Sequence, residues 1–275
     1  MTHRPKYQPS LPSQNDNVSD AHPLKDFLSI LFKLALLGLL AFFLLGLLVD
    51  TVVDRMDAST EASLTRLLAD KAPEIAAPGQ GDAREARLQA LVDSLRSCSR
   101  FTGPATLRLT ESTAPNAVVL PGGNIYVFSA LLEHVQSENG LAFVLAHEMA
   151  HLSHRDHLRA LGRGIVLYGL AALLSGDTSA LASVLAPVRQ LGDADYSRSR
   201  ESAADARALQ VLACRYGHAG GATEFFEALD KGEEIPGSHY FTSHPAMRER
   251  IAALKTAIAQ QGLPVRAVVP LVAPK

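Results

Sequence analysis

Cysteine is scarce in this sequence: Cys98 and Cys214 are the only two among 275 residues. Two thiols so far apart cannot ligate a metal as a cluster. Excess charge is lacking as well. The formal net charge is −2 and no basic run occurs, which removes the electrostatic case for nucleic-acid binding. A second long apolar run is missing too. Only the stretch from Phe27 to Val49, apolar except for Ser29 and Lys33, is long enough to cross a bilayer. It is followed by no small-x-small site, which excludes a cleaved signal peptide, and by no cysteine, which excludes a lipoprotein. What the chain does have is apolar content: 47% hydrophobic residues suffice for one large domain or two small ones.

Residues 1–26 are rich in Pro, Ser, Asn and Asp and read as a disordered cytoplasmic tail. Residues 27–49 form the transmembrane helix, with Lys33 able to snorkel to the headgroups. Lys25 and Lys33 lie on its N-terminal side, and Asp50, Asp54 and Asp57, with only Arg55, follow it. The positive-inside rule then keeps the tail in the cytoplasm of a single-pass protein of the inner membrane and sends the rest to the periplasm. In that compartment Cys98 and Cys214 have two options, one disulfide or two separately buried thiols, and the second is expected. Residues 50–81 are a stalk and linker, with a weak helical pattern from Asp57 to Leu68 broken at Ala76 to Gly81.

The folded domain is placed at residues 82–262. Asp82 and Glu85 are spaced as a capping box ahead of Leu88, Leu91, Val92 and Leu95. Alternation over Ala105 to Thr110, and two runs flanking Pro121-Gly122-Gly123-Asn124, predict a small sheet with a tight turn. Ser129 is expected to cap a short helix over Ala130 to Val135. The apolar pieces Gly164 to Leu174 and Ala180 to Val188 are each too short to span a bilayer, and a hairpin dipping into the membrane surface is open. Helices follow over Tyr196 to Cys214, Thr223 to Leu229, and from Ser243 and Pro245 to Gly262; residues 263–275 are an extended tail.

The chemistry centres on His147-Glu148-Met149-Ala150-His151, inside the apolar run from Leu141 to Leu152. On a helix, residues four apart share a face, so both imidazoles can hold one metal ion while Glu148 projects beside them as a general base. A catalytic zinc site needs a third protein ligand. His157 is one candidate, but the HExxHxxGxxH pattern needs a glycine at 154 to turn the chain, and His154 stands there. Glu201 is the preferred one, with Asp205 four residues on to support an imidazole. His154 and His157 are then expected at the solvated end of the zinc helix.

With HEMAH, SRSRESAAD, the stretch NAVVLPGGNIYV and Ser243-His244-Pro245 followed by Arg250-Ile251, the sequence resembles the M48 zinc metallopeptidases, the gluzincins of Ste24, HtpX and Oma1 type, over roughly residues 85 to 260. The resemblance implies an α+β, mainly helical zincin-like domain with a small β-sheet. It implies one Zn2+ per chain on His147, His151 and Glu201, with Glu148 as base and Asp205 behind the ligands. It also places His244 near the metal, where it would donate to the oxyanion or transiently cap the ion; Tyr196 and Tyr240 are weaker candidates for the oxyanion, and Arg250 is expected to pair with a supporting acid. Polypeptide segments, extended or misfolded, from membrane or envelope proteins are the implied partners. Gly122, Gly123, Asn124, Ile125 and Tyr126 would form an edge strand that pairs with them, or else an ordinary hairpin. One departure is Glu138-Asn139-Gly140, standing where acidic residues often precede the zinc helix; it is expected to loosen that helix's first turn. A Ste24-type chamber is excluded by the single span. The rival reading is a catalytically restrained, chaperone-like or binding protein that keeps the zinc site.

Overall fold

The computed structural model describes residues 23–71, 83–99, 101–175, 197–231, 244 and 247–271. The expected apolar piece from Ala180 to Val188, and Asp82, Tyr196, Tyr240 and Ser243, lie outside them. Two units divide the chain after Leu47. In the first, α1 (Pro23–Arg55) runs for 33 residues, or ~50 Å at helical rise. Its mean hydropathy reaches 2.6 and its large side chains are exposed, from Leu24 at 66% to Leu47 at 48%. A helix apolar all round and unburied suits a bilayer.

The second unit begins with the last turns of α1 and with α2 (Ala58–Lys71), followed by α3 (Ala83–Ser99). A three-stranded sheet comes next: β1 (Thr106–Thr110), β2 (Ala117–Leu120) and β3 (Asn124–Phe128), in the order β1-β3-β2. β1 pairs parallel with β3, and β2 antiparallel, with Leu120 opposite Asn124. The β2–β3 turn depends on Gly122 and Gly123, at φ 86° and 79°, where a Cβ is strained. After α4 (Ser129–Glu133) come α5 (Glu138–His154), α6 (Asp156–Ser175), α7 (Arg198–Tyr216), α8 (Glu224–Lys231) and α9 (Met247–Gln260). The mainly helical α+β architecture expected from the sequence is present.

One face of the sheet, with Leu107, Leu109, Ala117, Val119, Ile125 and Val127, joins the core built by α3, α5, α7, α8 and α9. The other face carries Val118, Leu120 and Tyr126, and it is covered by Leu161 of α6 and Leu64 of α2. The helix expected as a free stalk therefore packs on the sheet, because an apolar outer face needs a second layer.

Several local expectations change for physical reasons. Glu85 has a further role beside the expected capping box, whose Asp82 lies outside the described residues. Its carboxylate accepts from the Leu109 amide at 3.1 Å and faces Arg108 at 3.6 Å, tying α3 to β1. Ser129 caps no helix; its hydroxyl accepts from the Ser112 amide at 3.0 Å instead. Cys98 of α3 and Cys214 of α7 are not separate thiols but a disulfide, with Cα atoms 5.8 Å apart. The segment after Gly262 is extended as expected, yet it is no loose tail: Val269 and Leu271 bond to Glu138, Asn139 and Gln136 at 2.8–3.0 Å.

Candidate metal centre

α5 owes its placement to its two ends. At its start the Ser137 hydroxyl accepts from the Gly140 amide at 2.9 Å. Glu224 of α8 accepts from the Gln136 and Ser137 amides at 2.7 and 2.8 Å and from the Ser137 hydroxyl at 2.5 Å. Gly140 does not loosen this turn. It makes room for Glu224, whose Oε1 would lie 2.7 Å from an added Cβ. At its other end the chain turns at Arg155, left-handed at φ 56° and ψ 32°, a conformation that costs a non-glycine residue roughly 1 kcal/mol. The Arg155 guanidinium, donating to the Val53 and Met56 carbonyls at 2.9 and 2.7 Å, holds it there. A sharp turn thus forms without glycine, one residue later than the glycine pattern places it.

From the middle of α5, His147 and His151 project with Nε2 atoms 3.0 Å apart. Glu201, in the first turn of α7, brings its carboxylate to 3.5 Å from His147 Nε2 and 3.2 Å from His151 Nε2. His244 closes the group: its Nδ1 lies 3.3 Å from His147 Nε2 and 3.1 Å from both Glu201 oxygens. Donors bonded at zinc distances in a tetrahedron stand about 3.3 Å apart, so these four atoms outline one such site. All four residues are buried, at 0–1% exposure.

Each α5 imidazole is held from behind. His147 Nδ1 lies 3.0 Å from Asp205, which takes two bonds from Arg250 at 2.8 and 2.6 Å. Arg250 also reaches Glu201 at 2.7 Å and stacks 4.4 Å over the Phe226 ring. His151 Nδ1 donates to Asp156 at 2.9 Å, and Arg200 is hydrogen-bonded to the same carboxylate. Glu148 is fully buried with neither oxygen hydrogen-bonded among the described residues, and His244 Nε2 stands 3.7 Å from it. Four carboxylates (Glu148, Glu201, Asp205, Asp156) and two guanidiniums (Arg250, Arg200) surround the histidines, so with neutral imidazoles the group is two positive charges short. Burial alone pulls His147 down, but Glu201 and Asp205 outweigh it and hold its pKa up at about 9. Glu201 goes well below the carboxylate range although burial opposes this, because His244 and His147 face it. A group this short of positive charge, with a dry free carboxylate beside converging donors, fits a divalent cation.

His147, Glu148, His151, Glu201, Asp205 and His244 are thus brought together, and Arg250 pairs with Asp205 as expected. His157 is not among the converging donors. It is buried at 1%, not solvated, with Nε2 3.9 Å from Glu61, and burial lowers its pKa to about 4. The expected substrate strand is also different. Asn124, Ile125 and Tyr126 lie in β3, the middle strand, whose two edges are taken by β1 and β2. Gly122 and Gly123 only turn the chain, with Thr65 of α2 against Gly122 and Pro104 against Gly123. The edges unpaired among the described residues belong to β1 and β2, and β2 packs against α5. Asp156 and Arg200 went unnoticed in the sequence. The signal available was His151 itself: a metal-binding imidazole calls for an acceptor on its other nitrogen.

Residues 82–258 match the model of peptidase family M48. The chain is 31% identical over 160 residues to the mitochondrial metalloendopeptidase OMA1 of Schizosaccharomyces pombe, covering 54% of this chain and 45% of that protein. It is 28% identical over 199 residues to the mitochondrial metalloendopeptidase OMA1 of Bos taurus, covering 65% and 38%. With the β-barrel assembly-enhancing protease of Escherichia coli (strain K12) it shares 33% identity over 110 residues, covering 35% and 22%. The matched region is under half the length of each of these relatives. Family model, order of motifs and site geometry agree, and the chain belongs to peptidase family M48.

Proposed function

We propose that the protein is a membrane-anchored zinc metalloendopeptidase that cleaves extended or misfolded segments of membrane and envelope proteins. The observation that carries this reading is the buried, hydrogen-bond-free Glu148 carboxylate beside the converging atoms of His147, His151 and Glu201. These three residues would hold the ion, which when bound would supply a Lewis acid that polarises the scissile carbonyl and acidifies water. Glu148 would serve as general base toward the attacking water and as general acid toward the leaving amine. Asp205 accepts from His147 Nδ1 and keeps its other nitrogen turned inward.

His244 would be a fourth donor at rest, since its Nδ1 lies within the donor group rather than beside it. Its withdrawal would open a position for substrate. That closed arrangement is also the observation favouring the second reading, a restrained or chaperone-like protein that retains the site. An extended substrate pairs along β2, the edge strand packed on α5.

The catalytic domain faces the periplasm, with the N-terminus in the cytoplasm. Lys25 and Lys33 against Asp50 and Asp54 support this orientation, and so does the Cys98–Cys214 disulfide, a bond kept in oxidising compartments. A relative named as a β-barrel assembly-enhancing protease supports an envelope substrate. Glu148→Gln in the full-length protein tests the reading: it should retain zinc while casein cleavage falls by a factor of at least about 100. A variant that cleaves like wild type removes Glu148 from the chemistry, and one that complements every loss-of-function phenotype favours the binding protein.

A further inference from the structure

His147 and His151 are supported from opposite sides by the same kind of device. Behind His151 stands Asp156, 1% exposed, whose Oδ2 accepts the Nδ1 proton at 2.9 Å. Its other oxygen takes the guanidinium of Arg200. Arg200 immediately precedes Glu201, so one turn of α7 delivers both a metal-facing carboxylate and the cation that fixes the support of a different ligand. The contacts continue outward. Arg200 Nη2 lies 3.5 Å from Asp50 Oδ1, and Asp50 also receives Arg163 at 3.0 Å and Arg159 at 3.4 Å. Asp50 belongs to the last turns of α1, where Asp54 holds Arg159 at 2.6 Å.

We infer that Asp156 is a positioning residue for His151, and that Arg200 and Asp50 extend its hold to the end of α1, so that this end of the helix sets metal affinity. A carboxylate that accepts from Nδ1 fixes the tautomer and turns the Nε2 lone pair toward the ion. Asp156 is buried, and without Arg200 its charge would be uncompensated and its position unset. Asp50 in turn orders Arg200 by gathering three arginines from α6 and α7 around one carboxylate. The inference rests on His151 being a metal ligand, as in the proposed function.

Zinc affinity of the full-length protein in detergent, measured by competition with a chromophoric chelator, tests it together with the thermal midpoint of the zinc-free protein. Asp156→Ala should bind zinc about 10–100-fold more weakly with little change in the zinc-free midpoint. Asp156→Asn, whose amide oxygen still accepts from Nδ1, should recover most of that loss. Asp50→Asn should weaken binding by a smaller factor, and add nothing in the Asp156→Ala background, as coupled residues do. Unchanged zinc affinity in Asp156→Ala overturns the inference. So does equal loss in the Ala and Asn variants with a lowered zinc-free midpoint in both, which marks a purely structural role. An Asp50→Asn effect that persists without Asp156 overturns the link to α1. A wild-type protein that binds no zinc sinks the metal reading itself, and this inference with it.

Discussion

Around the metal centre, each residue is explained by the charge it faces. Glu148 sits dry beside histidines, with no hydrogen bond among the described residues, an arrangement that is costly unless the carboxylate has work to do. His244 gives a direct prediction. With Nδ1 3.1 Å from both Glu201 oxygens, it stands, in the proposed function, where a substrate would bind. His244→Ala should therefore keep one zinc per chain and cleave a short unstructured peptide faster than wild type. A slower enzyme with intact zinc would assign His244 to the oxyanion instead. The converging residues were legible because helical spacing alone brings 147 to 151 and 201 to 205. Asp156 was not, since its meeting with His151 depends on a left-handed Arg155, a conformation that no propensity assigns to arginine. The burial of His157 leaves no trace in the sequence, since an isolated histidine gives no sign of which helix face will be covered.

Among the elements, α5 depends on partners distant in sequence. Glu224 satisfies amides ahead of its first turn, where the helix dipole also favours a negative charge. Glu224→Ala should cost about 2–3 kcal/mol, read as a lowered denaturation midpoint with unchanged metal stoichiometry. Gly140→Ala should destabilise as well, although alanine favours helices, because its Cβ would meet Glu224 Oε1 at 2.7 Å. The disulfide joins α3 to α7 across 116 residues of sequence. Replacing both cysteines by serine should remove roughly 2–5 kcal/mol, and a midpoint unchanged by this pair or by reductant would contradict its role. Hydrophobic period announced α3, α5, α8 and α9, and the glycine turn announced β2 and β3. Strand order was hidden, since a crossover that puts β1 beside β3 leaves no local trace, and a presumed edge strand became the central one. The pairing of the cysteines was hidden for the same reason: it follows from the approach of two helices.

For the molecule as a whole, the proposed topology is an N-terminal anchor with the second unit in the periplasm. Protease added to intact spheroplasts should digest the second unit, and digestion only in inverted vesicles would reverse the orientation. Among the described residues the charges around the candidate metal centre lie inside residues 48–275, with Asp50 and Asp54 at the end of α1 taking part through Arg159, Arg163 and Arg200. Everything rests on which residues hold the ion. Elemental analysis of the purified full-length protein, wild type beside Glu201→Ala and His157→Ala, decides that point. One zinc per chain in wild type and in His157→Ala, with zinc lost from Glu201→Ala, is the expected result. Zinc lost from His157→Ala and kept by Glu201→Ala would contradict the site at its third ligand.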